Sequence, residues 1–293
     1  YYLANLSQLV RVNLLDQFGD THHRFTNMTF SVPYDFIEGH SPLLVSMPHS
    51  GLQLTPTVAN TLTPEALALP DTDWYIPQLY DFLEAMGVSV IKANYSRYVI
   101  DINRPEDNKP LYAGKTTGLF PHILFNEKSM FKPGAVADKA HQHACIENIW
   151  RPYHQQLAAA LIRIKQKFGY AILFDAHSIP AQVPMFFEGT LPDFNMGTNG
   201  GVASAPKLLQ AAEQTISGTA YTQVSNGRFK GGYITRSHGQ PSHHVHAFQL
   251  ELSQATYMQD AVGYALDDKK CAQLKPQLKA LIEALVSCNL TPQ

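Results

Sequence analysis

Apolar positions along this chain fall into short blocks whose period changes from one to the next. Leu43-Leu44-Val45-Ser46-Met47 is an apolar run closed by Pro48 and Gly51, which reads as a buried strand. Residues 73–86 place Ile76, Leu79, Tyr80, Leu83 and Met86 three to four apart, a helical stripe that Gly87 ends. Residues 88–91 read as the next strand. From 135 to 168 the helical spacing returns through Ile149, Tyr153, Leu157, Leu161 and Ile164, and Gly169 stops it. Residues 170–174 and 246–252 read as two later strands. A C-terminal amphipathic helix is expected over 276–286, with Leu278, Leu281, Ile282 and Leu285 on one face and Pro276 in the first turn.

Alternation of this kind predicts an α/β fold with a mostly parallel sheet. Neither a repeat nor a linker-like break interrupts it, so residues 1–293 read as one domain. Residues 106–134 and 178–242, rich in Gly, Pro and Asn, then become long excursions over the sheet edge. Loops of that length in a compact domain are usually functional.

Composition narrows the function classes. The chain is 45% hydrophobic and carries a formal net charge of −2, which gives no electrostatic footprint for nucleic acid or an anionic membrane. Apolar runs such as 43–47 and 171–174 are too short to span a bilayer. Cys145, Cys271 and Cys288 are far apart, as expected of reduced thiols in a cytoplasmic protein. Thirteen histidines in a chain of modest charge direct attention to metal or acid–base chemistry.

In an open α/β sheet, ligands bind at the carboxyl ends of strands. His49 follows the first strand directly, and Asp175 and His177 follow the strand ending at Phe174. Glu251 lies near the end of the strand over 246–252, where a carboxylate is uncommon unless it is paired or functional. Two histidines, one carboxylate and an open position form a ligand set of catalytic zinc. His49, Asp73 and His177 are the candidate ligands, with Glu251 as an unligated catalytic carboxylate. Asp73 equally suits a helix N-cap, and Asp71 competes with it for both roles.

Arg97, Asp101, Asn103 and Arg104 cluster just past a strand. Guanidinium groups grip carboxylates with two parallel bonds, as a dicarboxylic ligand would need; an Arg97–Asp101 or Asp101–Arg104 ion pair stabilising a turn is the structural alternative. Residues 226–236 mix glycines with Arg228, Lys230 and Arg236, and read either as an anion-binding loop or as a solvated hairpin turn. His243, His244 and His246 read as a loop running into a strand.

These motifs converge on one family. PLLVSMPHSG at 42–51, DTDWYIPQLYDF at 71–82, YSRYVIDINRP at 95–105, LFDAHSIP at 173–180, GRFKGGYITRSHG at 227–239 and HAFQLELSQATYM at 246–258 resemble the N-formylglutamate amidohydrolases of bacterial histidine degradation. That family is similar in turn to zinc carboxypeptidases and to the aspartoacylase and succinylglutamate desuccinylase group. The resemblance implies a three-layer α/β/α fold with a mixed, largely parallel sheet. It also implies one Zn2+ on His49 and His177, and Glu251 as the general base. The distant relatives take their carboxylate ligand from His-x-x-Glu, but Leu52 stands three after His49, which leaves Asp73 as the candidate. A small dicarboxylic N-acyl amino acid is the implied substrate, with Arg97, Asn103, Arg104 and Arg236 as candidate binders. Two other readings are a zinc deacylase acting on another N-acyl amino acid and a non-catalytic amino-acid-binding relative.

Overall fold

The computed structural model describes residues 30–111, 115–135, 138–259 and 263–291. Among them, a seven-stranded sheet runs in the spatial order β1 (Tyr34–Ile37), β3 (Ser89–Ala93), β2 (Leu43–Met47), β4 (Ala171–Ile179), β7 (Val245–Ser253), β5 (Phe194–Gly197) and β6 (Gln223–Ser225). The central strands β3, β2, β4 and β7 are parallel neighbours. β1 closes one edge antiparallel to β3, while β5 joins β7 antiparallel and carries β6 beside it. The sheet is therefore mixed and its centre parallel, as the α/β pattern predicts.

Helices cover both faces. Against one lie α3 (Ile76–Leu79), α6 (Pro206–Ile216) and α8 (Asp268–Ser287), packed on Val45, Phe174, Phe248, Leu250 and Leu252. Against the other lie α1 (Pro56–Thr61), α2 (Pro64–Leu67), α4 (Lys139–Cys145), α5 (Arg151–Phe168) and α7 (Tyr233–His238), which share one apolar cluster with Leu44, Leu173 and Ala247. Alternation along each strand sends successive side chains to opposite faces, which explains the two separate apolar clusters. Truncating a fully buried residue such as Leu250 to alanine costs about 2–5 kcal/mol at such a site.

Several elements differ from the expectation. The stripe over 73–86 is not one helix: only Ile76–Leu79 is helical, and turns with i to i+3 bonds continue to Gly87. Such turns return side chains to the same face, so Ile76, Leu79, Tyr80 and Leu83 are buried all the same. The stretch from 135 to 168, of which 136–137 lie outside the described residues, is two helices joined by a π turn at Ile146–Trp150. Pro152, in the first turn of α5, has no N–H for the carbonyl four residues back, and Arg151 N–H bonds Ile146 five residues back.

The C-terminal helix begins at Asp268, capped by the Asp267 side chain, with Pro276 inside it rather than in its first turn. Its continuation past the proline is held by burial of Leu274, Leu278 and Leu281. Residues 178–242 are not an excursion: they supply β5, β6, α6 and α7 and complete one side of the sheet. Their strands are only three or four residues long, too short for a readable period.

Candidate active site

The carboxyl ends of β2, β4 and β7 change character on one face of the sheet. On that face β4 presents Ala171 and Leu173 and then Asp175 and His177, while β7 presents Ala247 and then Gln249 and Glu251. Apolar positions anchor the first half of each strand in the core, and the positions that follow on the same face turn polar toward the carboxyl end. Asp175 and His177 lie inside β4 rather than after it, because that strand runs on to Ile179. Parallel register then sets His177 beside Glu251 and Asp175 beside Gln249.

His49 sits just past β2, and its carbonyl accepts from the Asp73 N–H at 3.1 Å, which ties the 71–75 loop to the strand end. Two further bonds hold that loop, from Gln254 Nε2 to the Thr72 carbonyl at 3.0 Å and from Tyr257 OH to the Trp74 carbonyl at 2.9 Å. Tyr75 takes a left-handed conformation with φ 62°, which for an aromatic residue costs on the order of 1–2 kcal/mol. Asp73 is therefore a loop residue with its carboxylate turned to the histidines, and Tyr75 occupies the N-cap position of α3.

His49, Asp73 and His177 are all buried, and each offers one ligand atom within 4.8 Å of the others. Asp73 Oδ2 is 3.0 Å from His177 Nδ1 and 3.8 Å from His49 Nδ1. Asp71 is not in this group: its carboxylate accepts from the Phe125 N–H at 3.1 Å, and burial pushes its pKa up to about 6.

The far nitrogens of both rings face carboxylates. His49 Nε2 lies 2.7 Å from Asp101 Oδ1, and His177 Nε2 lies 3.1 Å from Asp175 Oδ2. Each carboxylate favours a proton on the Nε2 it faces, with the Nδ1 lone pair on the Asp73 side; at His177 the Asn103 amide nitrogen, 2.9 Å from the same Nε2, works against that proton. Carboxylates hydrogen-bonded to the far ring nitrogen are what metal-binding histidines ordinarily have. The donor set thus fits a divalent cation held by two imidazole nitrogens and one carboxylate oxygen.

Burial and nearby Arg97 hold His49 below the ordinary histidine pKa, which favours its neutral, ligating form. Burial would depress His177 too, but Asp175 and Asp73 outweigh it and hold its pKa well above the usual value. A proton and a cation therefore compete for His177 Nδ1. Asp101 is also buried, yet His49 and Arg97 keep it ionised far below the carboxylate range.

A cavity with about 630 Å3 of empty space, part of it open to solvent, meets these groups. His49, His177 and Glu251 line it. Glu251 is buried, and desolvation pushes its pKa up to about 8. Its carboxyl group is a proton acceptor of tunable strength beside two histidines.

The candidate substrate cations divide. Arg97 lines the cavity and is bonded through Nη2 to Asp101 Oδ2 at 2.8 Å, so the first of the two ion pairs offered as the structural alternative does form. Arg104 lines it as well, and its buried Nε has no hydrogen-bond partner among the described residues. Asn103 also reaches the cavity: its Oδ1 accepts from the Ile234 N–H at 2.8 Å, which turns the amide nitrogen to 2.9 Å from His177 Nε2. Arg236 is not among the lining residues; its Nε donates to the Gly231 carbonyl at 2.8 Å and its Nη1 to that of Leu111 at 3.2 Å. Arg228 and Lys115 line the wall instead.

Asp101, Asp175 and Lys115 carry no site role in the sequence reading, and Arg228 enters it only as one cation of the glycine-rich 226–236 stretch. Asp175 was within reach of it, because two-residue spacing from His177 on a strand puts both on one face.

A sequence model of the N-formylglutamate amidohydrolase family matches residues 41–258. N-formylglutamate deformylase of Pseudomonas putida is 49% identical over 253 residues, which cover 86% of this chain and 95% of that protein. Its counterpart in Pseudomonas aeruginosa is 47% identical with the same coverage, 86% and 95%. The crystal structure of an N-formylglutamate amidohydrolase from Ralstonia eutropha superposes with a TM-score of 0.75 at 21% identity, covering 87% of this chain and 96% of that one. A gene product of Agrobacterium tumefaciens superposes at 0.67 with 16% identity, over 88% and 96% of the two chains. The solved structures share the fold.

Proposed function

The chain belongs to the N-formylglutamate amidohydrolase family, and we propose from that premise that it hydrolyses the formyl amide of N-formyl-L-glutamate to formate and L-glutamate. The observation that carries this reading to the residues is the buried His49–Asp73–His177 group beside Glu251 in an open, cation-lined cavity. We propose that these three side chains hold one Zn2+ ion. A zinc ion there supplies Lewis acidity, polarising the formyl oxygen and acidifying water.

Glu251, as the carboxylate, accepts a proton from the attacking water and passes it to the leaving amine nitrogen as the carbon–nitrogen bond breaks. The water oxygen becomes a formate oxygen, and the transferred proton leaves on glutamate. Asp101 and Asp175 hold the imidazole rings through their Nε2 protons. Arg97, Asn103 and Arg104 bind and orient the substrate carboxylate nearest the scissile amide. The buried Arg104 Nε supports this, since an unmet donor there costs about 1–3 kcal/mol until a ligand satisfies it.

The substrate is a small molecule, the whole chain acts as one catalytic domain, and the enzyme works in the cytoplasm at the end of a histidine degradation route. Hydrolysis of N-formyl-, N-acetyl- and N-succinyl-L-glutamate, measured as release of formate, acetate and succinate, tests the reading. Turnover should be confined to the formyl compound, and preference for a longer acyl group would assign a different deacylase activity.

A further inference from the structure

Part of the cavity wall alternates guanidinium groups with aromatic rings. Arg97 Cζ lies 5.0 Å from the Phe125 ring centroid, and Phe125 meets Phe186 edge-on with centroids 5.0 Å apart. Arg228 Cζ follows, 5.7 Å from Phe186 and 5.2 Å from Phe229. All five residues line the cavity. Arg97 marks the end of this row nearest the candidate metal site, because it is bonded to Asp101, which holds His49. Arg228 stands beyond two rings at the other end.

Arg228 is held in place. Its Nε donates to the Phe186 carbonyl at 2.6 Å, which fixes the direction of the guanidinium, a group whose planar geometry suits a carboxylate. Stacking on ring faces favours the cation where water is thin. The loop that carries it is fixed at both ends. Asn226 Oδ1 accepts from the N–H groups of Thr198 and Gly200, each at 2.9 Å, and Gly232 N–H donates to Gln249 Oε1 at 2.6 Å. A Cβ on Gly232 would lie 2.4 Å from Asn103 Nδ2, so only glycine lets the loop approach this closely. A site fixed before binding spends little affinity on ordering.

We infer that Arg228 is a specificity-determining residue that reads the side-chain carboxylate of the substrate. This rests on the reading of the site as an N-formylglutamate hydrolase. The α-carboxylate is attached to the carbon that bears the scissile nitrogen, so it stays at the His49 end of the row. The side-chain carboxylate is two methylenes further out and reaches toward the far cation. A neutral side-chain amide offers Arg228 one acceptor oxygen and a repelling N–H pair, and an aliphatic side chain offers nothing.

The test compares kcat/KM of the zinc-loaded enzyme on N-formyl-L-glutamate, N-formyl-L-glutamine and N-formyl-L-isoglutamine, in which the amide replaces the side-chain or the α-carboxylate. Arg228→Gln should raise KM for N-formylglutamate by about 10- to 100-fold, the range for a hydrogen bond to a charged group. It should collapse the preference for glutamate over glutamine while the preference over isoglutamine stays. Phe186→Leu, which removes a supporting ring and keeps the charge, should weaken the same preference to a smaller degree. Equal loss on all three compounds, or collapse of the isoglutamine preference instead, overturns the assignment. If the wild type hydrolyses N-formylglutamate and Arg228→Gln keeps its preference, the assignment alone fails. A wild type inactive on N-formylglutamate removes the functional reading, and the assignment with it.

Discussion

His177 and Glu251 are register partners on the adjacent parallel strands β4 and β7. Paired positions in a parallel ladder send their side chains to the same face, about 4.8 Å apart across the strands. The sheet itself therefore sets a candidate metal ligand beside a candidate proton acceptor, and no loop has to move to bring them together. A site built on strands is held more tightly than one built on loops.

Glu251→Gln keeps the size of the side chain and removes the proton acceptor. It should lower kcat by ~10²–10⁴-fold, with metal content retained and KM little changed. Glu251 serves as a base only when ionised, so kcat/KM should rise with pH through its pKa. Burial drives that pKa from 4.5 toward about 8, and a cation beside it pulls it back, so the midpoint of the acid limb should fall between those values. Steady-state profiles with metal analysis check both statements.

Asp101→Asn and Asp175→Asn leave the three proposed ligands intact but remove the carboxylates behind the rings. Each should weaken metal binding by about 10- to 100-fold. Because His177 has a raised pKa, its Nδ1 proton must leave before a cation binds. Apparent affinity should therefore rise with pH up to that pKa, with proton release on binding. Calorimetry in two buffers of different ionisation enthalpy measures the protons released, and Asp175→Asn should reduce their number at neutral pH.

Asp71 gives a stability test that is separate from the metal. Its folded pKa, about 6, lies above the ordinary 3.8 because the carboxyl is buried. A raised carboxyl contributes stability that is fully present below 3.8 and lost as pH rises to about 6. Asp71→Asn can still accept the Phe125 N–H and cannot ionise. The melting temperature of the variant relative to wild type should therefore climb between pH 4 and pH 6, roughly the window of that shift, with metal content unchanged. A loss of bound metal would instead make Asp71 a ligand.

The parts of the fold that were legible in the sequence are those with a sustained period. The central strands and the long α5 announce themselves through Val45, Phe174 and the Tyr153–Leu157–Leu161 row, because each buries a whole face. β5 and β6 do not, since Phe194–Gly197 and Gln223–Ser225 are too short to carry a pattern and stand among glycines and asparagines. In the site, His49, His177 and Glu251 stand out because polar side chains end apolar strands. The cations were harder. Arg228 and Arg236 share one glycine-rich stretch, and only the fold of that stretch sends Arg228 to the cavity and Arg236 to the backbone carbonyls of Gly231 and Leu111.

On this reading, a cation held by His49, Asp73 and His177 is required to release formate from N-formyl-L-glutamate. The direct measurement is formate production by one purified sample as prepared, after chelation, and after stepwise return of Zn2+, beside the same series for His177→Ala. Activity should vanish with the metal and return in proportion to bound zinc, reaching a plateau near one ion per chain, while His177→Ala binds none at that stoichiometry and stays inactive. Full activity in the chelated protein, or in His177→Ala without metal, would contradict it.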